Sequence, residues 1–322
     1  MMENGKWKMV NGNAGRVRRI FTFSIFHFPF SIVLLCGCVP KKPPAKPAYV
    51  GPTQSMYEVV EAINGNNRKL PALWASMKHN GMEASIVDDH GKRHDEVLGG
   101  TLLYRAPGEV KVIGHHDVAG DVVQIGSNKD VYWLIAKDPG PDTAWWGRYK
   151  YLGRECAQPI PIRPDLVLQV LGVSTINTDF NALPVPVMRF NNDSDAYMLI
   201  WNAKLPDRWV AVREVWYDRQ TKRPIRVFLF DPDGRIVLSA KLAAHKPVEV
   251  PDVAKENWPT VATDYQLFFP DSGSRLHIGL DKVQLNRKSA SGVTAPNDAT
   301  FRFDPQRAGV SKVIQLDEDC GP

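Results

Sequence analysis

Short runs rich in Val, Ile, Trp, Tyr and Phe follow one another through most of the chain, with Gly, Pro, Asp or Asn between them. The pattern predicts strands at Gly99–Pro107, Glu109–His116, Asp121–Gly126, Asp130–Lys137 and Ala144–Leu152. A second series covers Val185–Asn191, Asp195–Ala203, Arg208–Asp218, Arg223–Asp231, Gly234–Ala244, Ala262–Asp271 and Arg275–Asn286. Phe230–Arg235 (FDPDGR) reads as a hairpin turn. No helix interrupts either series, so the expectation is an antiparallel meander rather than alternating strands and helices. Tyr197, Leu199 and Trp201 share one face of their strand; Val210, Val212, Glu214 and Trp216 share a face of the next.

Two segments carry a helical period instead. In Thr53–Asn66, Met56, Val59, Val60 and Ile63 fall on one stripe, with Thr53 or Ser55 as cap and Gly65 as terminator. In Pro159–Val173, Pro164 suits a first helical turn, Asp165 complements the positive helix end and Gly172 stops the helix. Leu166, Val167, Val170 and Leu171 are apolar on more than one side, which requires burial. Residues 53–322 then form one mainly β domain with a few helices and a C-terminal tail.

The N-terminus follows other rules. "RVRR" (Arg16–Arg19) precedes the apolar run Ile20–Cys36, which Pro29 interrupts and which is short for a membrane-spanning helix. This is the layout of a secretory signal, and Met9 is an alternative start. "LCGC" (Leu35–Cys38) resembles the bacterial lipobox, in which the last Cys receives a diacylglycerol and the chain is cut before it. Residues 1–37 are therefore read as a lipoprotein signal peptide and Cys38 as the lipidation site; the plainer alternative is a fortuitous Cys in an ordinary signal. Residues 38–52 form a Pro/Lys-rich tether, suited to extended polyproline geometry. By resemblance to known bacterial sorting signals, Val39 after the lipid Cys implies the outer membrane, facing the periplasm.

Removing residues 1–37 takes away five Lys/Arg and one Glu, and so lowers the formal charge from +5 by four to +1. Nucleic-acid binding loses its electrostatic argument. Cys156 and Cys320 remain, and in an oxidising envelope such a pair is expected to bridge, the alternative being two separate thiols. "HHD" (His115, His116, Asp117) puts neighbouring histidines on opposite faces of a strand, which does not chelate one ion. No nucleophile elbow, phosphate loop, zinc-protease or dinucleotide motif is present in the sequence. No enzyme, metal or cofactor is expected.

Several motifs resemble the LolA/LolB lipoprotein-carrier superfamily. They are the helix "MYEVVEAIN" before the strands, "YRAPGEVKV" (Tyr104–Val112), "VYWLIAKDP" (Val131–Pro139), the hairpin pair Trp216–Leu242 and "ATFRFDPQRAGVSKVIQLD" (Ala299–Asp317). The resemblance implies an incomplete antiparallel β-barrel (half-barrel) closed by a helical lid, with an apolar interior for acyl chains of lipoproteins or lipids. The anchor makes the chain LolB-like within that superfamily. Expected cavity residues are Trp133, Ile135, Trp146, Leu199, Trp201, Val212 and Trp216, with Leu166, Val170 and Leu171 on the lid. Expected partners are acyl chains, a membrane reached through the anchor, and a periplasmic carrier protein. The expected role is carrier or receptor; the alternative is a lipid-anchored sensor or adaptor of envelope lipoprotein status.

Overall fold

The computed structural model describes residues 51–321, apart from 89, 118, 138, 139, 290 and 291. The signal segment, Cys38 and all of the tether before Gly51 lie outside the described residues. Residues 48–322 cluster as one compact unit.

The chain enters through α1 (Met56–Asn67), whose start is fixed by a capping box: Ser55 and Glu58 each bind the other's backbone N–H. The helix runs through Gly65 rather than stopping there, because partners further along hold its last turn. Asn64 Nδ2 donates to the Ile176 carbonyl (2.8 Å) and Asn64 Oδ1 accepts from the Ile176 N–H (2.7 Å). Asn67 donates to the Gly172 and Ser174 carbonyls.

The first meander follows: β1 (Ala72–Val87), β2 (Arg93–Arg105), β3 (Glu109–His116), β4 (Gly120–Ser127), β5 (Val131–Ala136) and β6 (Thr143–Arg148). Then comes α2 (Pro164–Val170), with Pro164 in its first turn and Gly172 at φ +72° just past its end. The second meander is β7 (Val185–Asn191), β8 (Ala196–Lys204), β9 (Trp209–Asp218), β10 (Pro224–Phe230) and β11 (Ile236–Ala243). Two-residue strands β12 (Lys246–Pro247) and β13 (Thr260–Val261) pair off the main sheet. After β14 (Asp264–Phe269) and β15 (Ser274–Gln284), the hairpin β16 (Arg287–Ser289) and β17 (Gly292–Thr294) and the short β18 (Lys312–Gln315) end the chain.

Fourteen strands make one sheet in the order β18-β6-β5-β4-β3-β2-β1-β15-β14-β11-β10-β9-β8-β7. Every pair is antiparallel except β18 on β6, which is parallel. β1 pairs with β15 and so joins the two meanders into one surface. The sheet does not close: its edges are β18 and β7, and Pro186 sits in β7, an edge strand, the place in a sheet where proline is tolerated. Inward side chains from both meanders pack with Val59, Val60 and Ile63 of α1 and Leu166, Val167 and Val170 of α2 in one core. The fold is thus mainly β, an incomplete antiparallel barrel wrapped round two helices.

The long β1–β2 hairpin begins well before the first predicted strand. Its sequence "SMKHNGMEAS" hides the alternation because the ladder is interrupted between Met77 and Met82. At this irregularity β1 and β15 come close. A Cβ on Gly81 would lie 2.7 Å from the Gly279 carbonyl oxygen and 2.7–2.8 Å from the Lys78 backbone N and O. All three neighbours are backbone atoms, which cannot swing aside as a flexible side chain can. Gly81→Ala should therefore destabilise the domain by about 1–3 kcal/mol, the range for overpacking. Urea unfolding of the variant beside wild type checks this, and an unchanged midpoint would contradict the close approach.

Candidate functional site: an apolar cleft in the concave face

The helices fill most of the concave side. α2 packs on β3, β4 and β5 as a plug rather than standing over an empty cup. A cleft of about 390 Å³ remains at one end, between the two meanders. Tyr132 on β5 and Trp145 on β6 form its floor; Val87, Val237 and Phe269 stand opposite; Leu152, Pro159, Ile160 and Pro161 close the near wall. Tyr132, Trp145 and Phe269 border the slot with little of their surface open, each no more than 3% exposed over the whole residue. Gly147 lies opposite Tyr132 in the ladder, and a Cβ there would sit 2.7 Å from the Tyr132 hydroxyl. The glycine is what lets the ring lie down.

Polar groups stand at the rim. Arg163 makes two hydrogen bonds to Asp165, from Nε to Oδ1 (3.2 Å) and from Nη2 to Oδ2 (2.7 Å). Burial pushes the Asp88 carboxyl up, but hydrogen bonds from His94 and the Lys92 and His90 N–H groups hold it below its ordinary value. Burial, with the Asp165 charge nearby, pushes the Tyr132 phenol up to about 12. Tyr149, whose ring meets that of Tyr132 edge-on at 5.5 Å, is also pushed up to about 12 by burial. Both phenols are neutral at any physiological pH, so the floor carries no charge.

The near wall is fastened to the C-terminus. Cys156 and Cys320 form a disulfide with a Cα–Cα distance of 5.2 Å. The Gln158 N–H donates to the Leu316 carbonyl (2.7 Å) and the Ser272 hydroxyl to the Pro161 carbonyl (2.7 Å). Buried Asp317 accepts from the Arg148 N–H (3.0 Å), from Arg148 Nε (2.8 Å) and, on its other oxygen, from Gln315 (2.9 Å).

The residues expected to line a cavity divide between the two faces, and none of them lines this cleft. Trp133, Ile135 and Trp146 face away from α2 and pack with Ala144, Phe303, Ala308 and Val310. The Trp133 and Phe303 rings stack at 5.1 Å. These three are a correction: the expected inward direction is one residue out of step, and Tyr132, Leu134 and Trp145 point in instead. The physical reason is that the C-terminal segment covers the outer face here. Five of the six β5 residues are buried, which erases the alternation that would have told the faces apart. Trp216 is a second correction. It faces outward beside Arg226 and Phe228, because Val215 and Tyr217 take the inward positions. Leu166, Val170, Leu171, Leu199 and Trp201 do point inward, but into the packed core. Val212, at the irregularity of the β8–β9 ladder, packs partly against that core. The signal that would have found Tyr132 and Trp145 is the pair of segments "FRF" and Gly147, read together as a cover for one face and a space on the other.

A larger groove, about 780 Å³, lies on the outer face between the β1–β2 hairpin and β10–β15. Glu83, Arg93, Asp95, Lys241 and Arg275 ring it. An apolar ligand there would have to strip water from charges of both signs, so the smaller inner cleft is the better apolar site. Among the described residues no cluster of three or more His, Cys, Asp or Glu is placed to hold a metal, and no helix is long and apolar enough to cross a membrane.

The Asp317 contacts carry a pH signature. Burial alone raises this carboxyl, but hydrogen bonds from Arg148 and Gln315 hold it below its ordinary value. A depressed folded pKa gives stability that is complete above the unfolded value, about 3.9, and is lost as pH falls through the folded one. Asp317→Asn should cost about 2 kcal/mol at neutral pH, the scale of a hydrogen bond to a charged group. Thermal melts from pH 7 to pH 3 should show a smaller acid-induced loss in the variant than in wild type. Parallel curves would contradict the assignment.

No family profile matches the chain, and no curated protein matches it in sequence. Solved structures do resemble it. One is a domain described as an outer membrane lipoprotein-sorting protein from Vibrio parahaemolyticus, with 13% identity, 70% of this chain and 90% of that one covered, and a TM-score of 0.41. Another is a LolA superfamily protein from Nitrosomonas europaea, with 13% identity, coverage of 78% and 99%, and a TM-score of 0.42. A DUF1329 family protein from Desulfovibrio piger gives 11% identity, coverage of 71% and 90%, and a TM-score of 0.40. Likenesses at this level do not decide function. The strand order itself describes the fold: one sheet, antiparallel apart from β18 on β6, open between β18 and β7 and wrapped round two helices.

Proposed function

We propose that this protein is an envelope lipoprotein, anchored through Cys38, that binds acyl chains of lipids or lipoproteins in the concave cleft and serves as a carrier or receptor for them. The observation that carries the reading is the cleft of about 390 Å³ bordered by Tyr132, Trp145, Ile160, Val237 and Phe269. Acyl chains ask for such a surface: each methylene gains about 0.8 kcal/mol on leaving water and needs no directional partner. Arg163, paired with Asp165, and Gln158 stand at the mouth, where a head group would lie. The lipobox-like Cys38 and its tether would keep the slot within reach of a bilayer, and the absence of catalytic motifs from the sequence suits a binding protein.

The two faces of the sheet supply the test. Ile160→Asp puts a carboxylate on the cleft wall and should weaken binding of a fluorescent fatty acid at least about tenfold, or 1.4 kcal/mol. Trp146→Leu, on the opposite face, should leave binding within about twofold. Equal losses in the two variants, or no binding by wild type, would overturn the reading. Metabolic labelling with an alkyne fatty acid should mark the full chain and fail to mark Cys38→Ser; label retained by the variant would remove the anchor from the proposal.

A further inference from the structure

An unpaired positive charge stands on the concave face. Arg213 lies on β9 in step with Val215 and Tyr217, which point inward, and opposite Trp201 in the β8–β9 ladder. The ladder skips Val212 just before it, and a bulge re-aims the side chains beside it. The guanidinium lies over the Trp201 ring, 3.8 Å from its centre, and that ring is buried. None of the described carboxylates is near enough to pair with it. Glu214 is on the opposite face, bonded to Trp216 Nε1, and Asp195 is held by Arg219. Tyr217 offers no counter-charge, because burial pushes its phenol up to about 12. Burial also pulls the Arg213 guanidinium below its ordinary value, yet arginine keeps its charge in proteins. A half-buried cation without a counter-charge costs free energy, which an anionic ligand would recover.

We infer that Arg213 is the binding group of an oxyanion site on the concave face, taking a phosphate or carboxylate. The site shares no lining residue with the acyl cleft, and it stands whether or not acyl chains bind there. Its other wall is the segment after α2, through Gly172, Ser174 and Thr175. Asn67 of α1 binds the Gly172 and Ser174 carbonyls and so draws these acceptors toward the helix. In a trans peptide the N–H points opposite to the C=O, so the Thr175 N–H points away from α1. Among the described residues it donates to no protein acceptor. A guanidinium fork with a free backbone N–H across from it is a donor set that carboxylate and phosphate oxygens match. The Trp201 ring behind the guanidinium holds the fork in place. The pocket is small, about 30 Å³, so the anion docks at its mouth, where Gln169, Ser174 and Thr175 are exposed.

Thermal melts of the full chain in a non-ionic detergent test this. Inorganic phosphate, acetate and glycerophosphoglycerol, a lipid head group without its chains, are each titrated against sodium chloride of equal ionic strength. A ligand that binds only the folded protein raises the melting temperature, so phosphate should raise it saturably and chloride should not. Arg213→Met should weaken phosphate binding at least about tenfold. Without phosphate that variant should melt no lower than wild type, because it removes an unpaired charge. Thr175→Glu, at an exposed position, puts a carboxylate at the mouth; it should pair with Arg213 and abolish the phosphate response. Ile160→Asp, on the acyl cleft, should leave that response within about twofold, so the two sites fail separately. Tighter binding of the head group than of phosphate assigns the site to a lipid; the reverse assigns it to a free anion. Equal shifts with chloride and with all three anions, or a response that survives both Arg213→Met and Thr175→Glu, would overturn the site. So would an Arg213→Met protein that melts well below wild type without phosphate, since the arginine would then be a packing group on Trp201.

Discussion

The pairing of β1 with β15 is the constraint on which the rest of the structure depends. Each meander alone is a sheet with one apolar face and nothing to cover it. Joining the first strand of one to the last strand of the other makes a single surface that can wrap two helices. The joint is also where the ladder is least regular, at the Met77–Met82 interruption with Gly81 against Gly279. A bulge increases local twist and bends the strand. The chain places that bend in the strand shared by both halves, where it turns one meander toward the other. The cleft follows from this arrangement, since its floor comes from β5 and β6 and its far wall from β11 and β14.

Burial on both faces is the second organising fact. The inner face meets α1 and α2. Part of the outer face meets the segment that precedes β18: Lys111 donates to the Thr300 carbonyl, Asn128 to the Phe301 carbonyl, and Phe303 stacks on Trp133. The segment then becomes β18, extends the edge beside β6, and delivers Asp317 and Cys320 to the wall of the cleft. One stretch of chain therefore covers the outer face, blunts an edge strand and fixes the roof over the proposed ligand. Edge protection of this kind also lowers the risk of edge-to-edge association.

Much of the fold was legible because its signals are local. Turn residues separated nearly all the strands, Pro164 and Gly172 bracketed α2, and the Ser55–Glu58 box began α1. Three features were not legible, each for a physical reason. β1 and the first half of β2 were missed because an interrupted ladder has no steady period. Gly65 did not end α1, because Asn64 and Asn67 bind backbone more than 100 residues away, which no local pattern announces. The direction of Trp133, Ile135 and Trp146 was read one residue out of step because a strand buried on both faces shows no alternation. The proposed site suffered most from this. Its floor residues, Tyr132 and Trp145, are the immediate neighbours of two of the tryptophans that the sequence singled out.

Covalent mapping of a bound chain tests the central claim most directly. A fatty acid carrying a photoreactive diazirine at its tail is bound to the domain, illuminated and located by peptide mass spectrometry. The account predicts label on the peptides bearing Tyr132, Trp145 and Ile160, abolished by excess unlabelled fatty acid. Label confined to the outer face, on peptides of the charged groove or around Phe303, would contradict it.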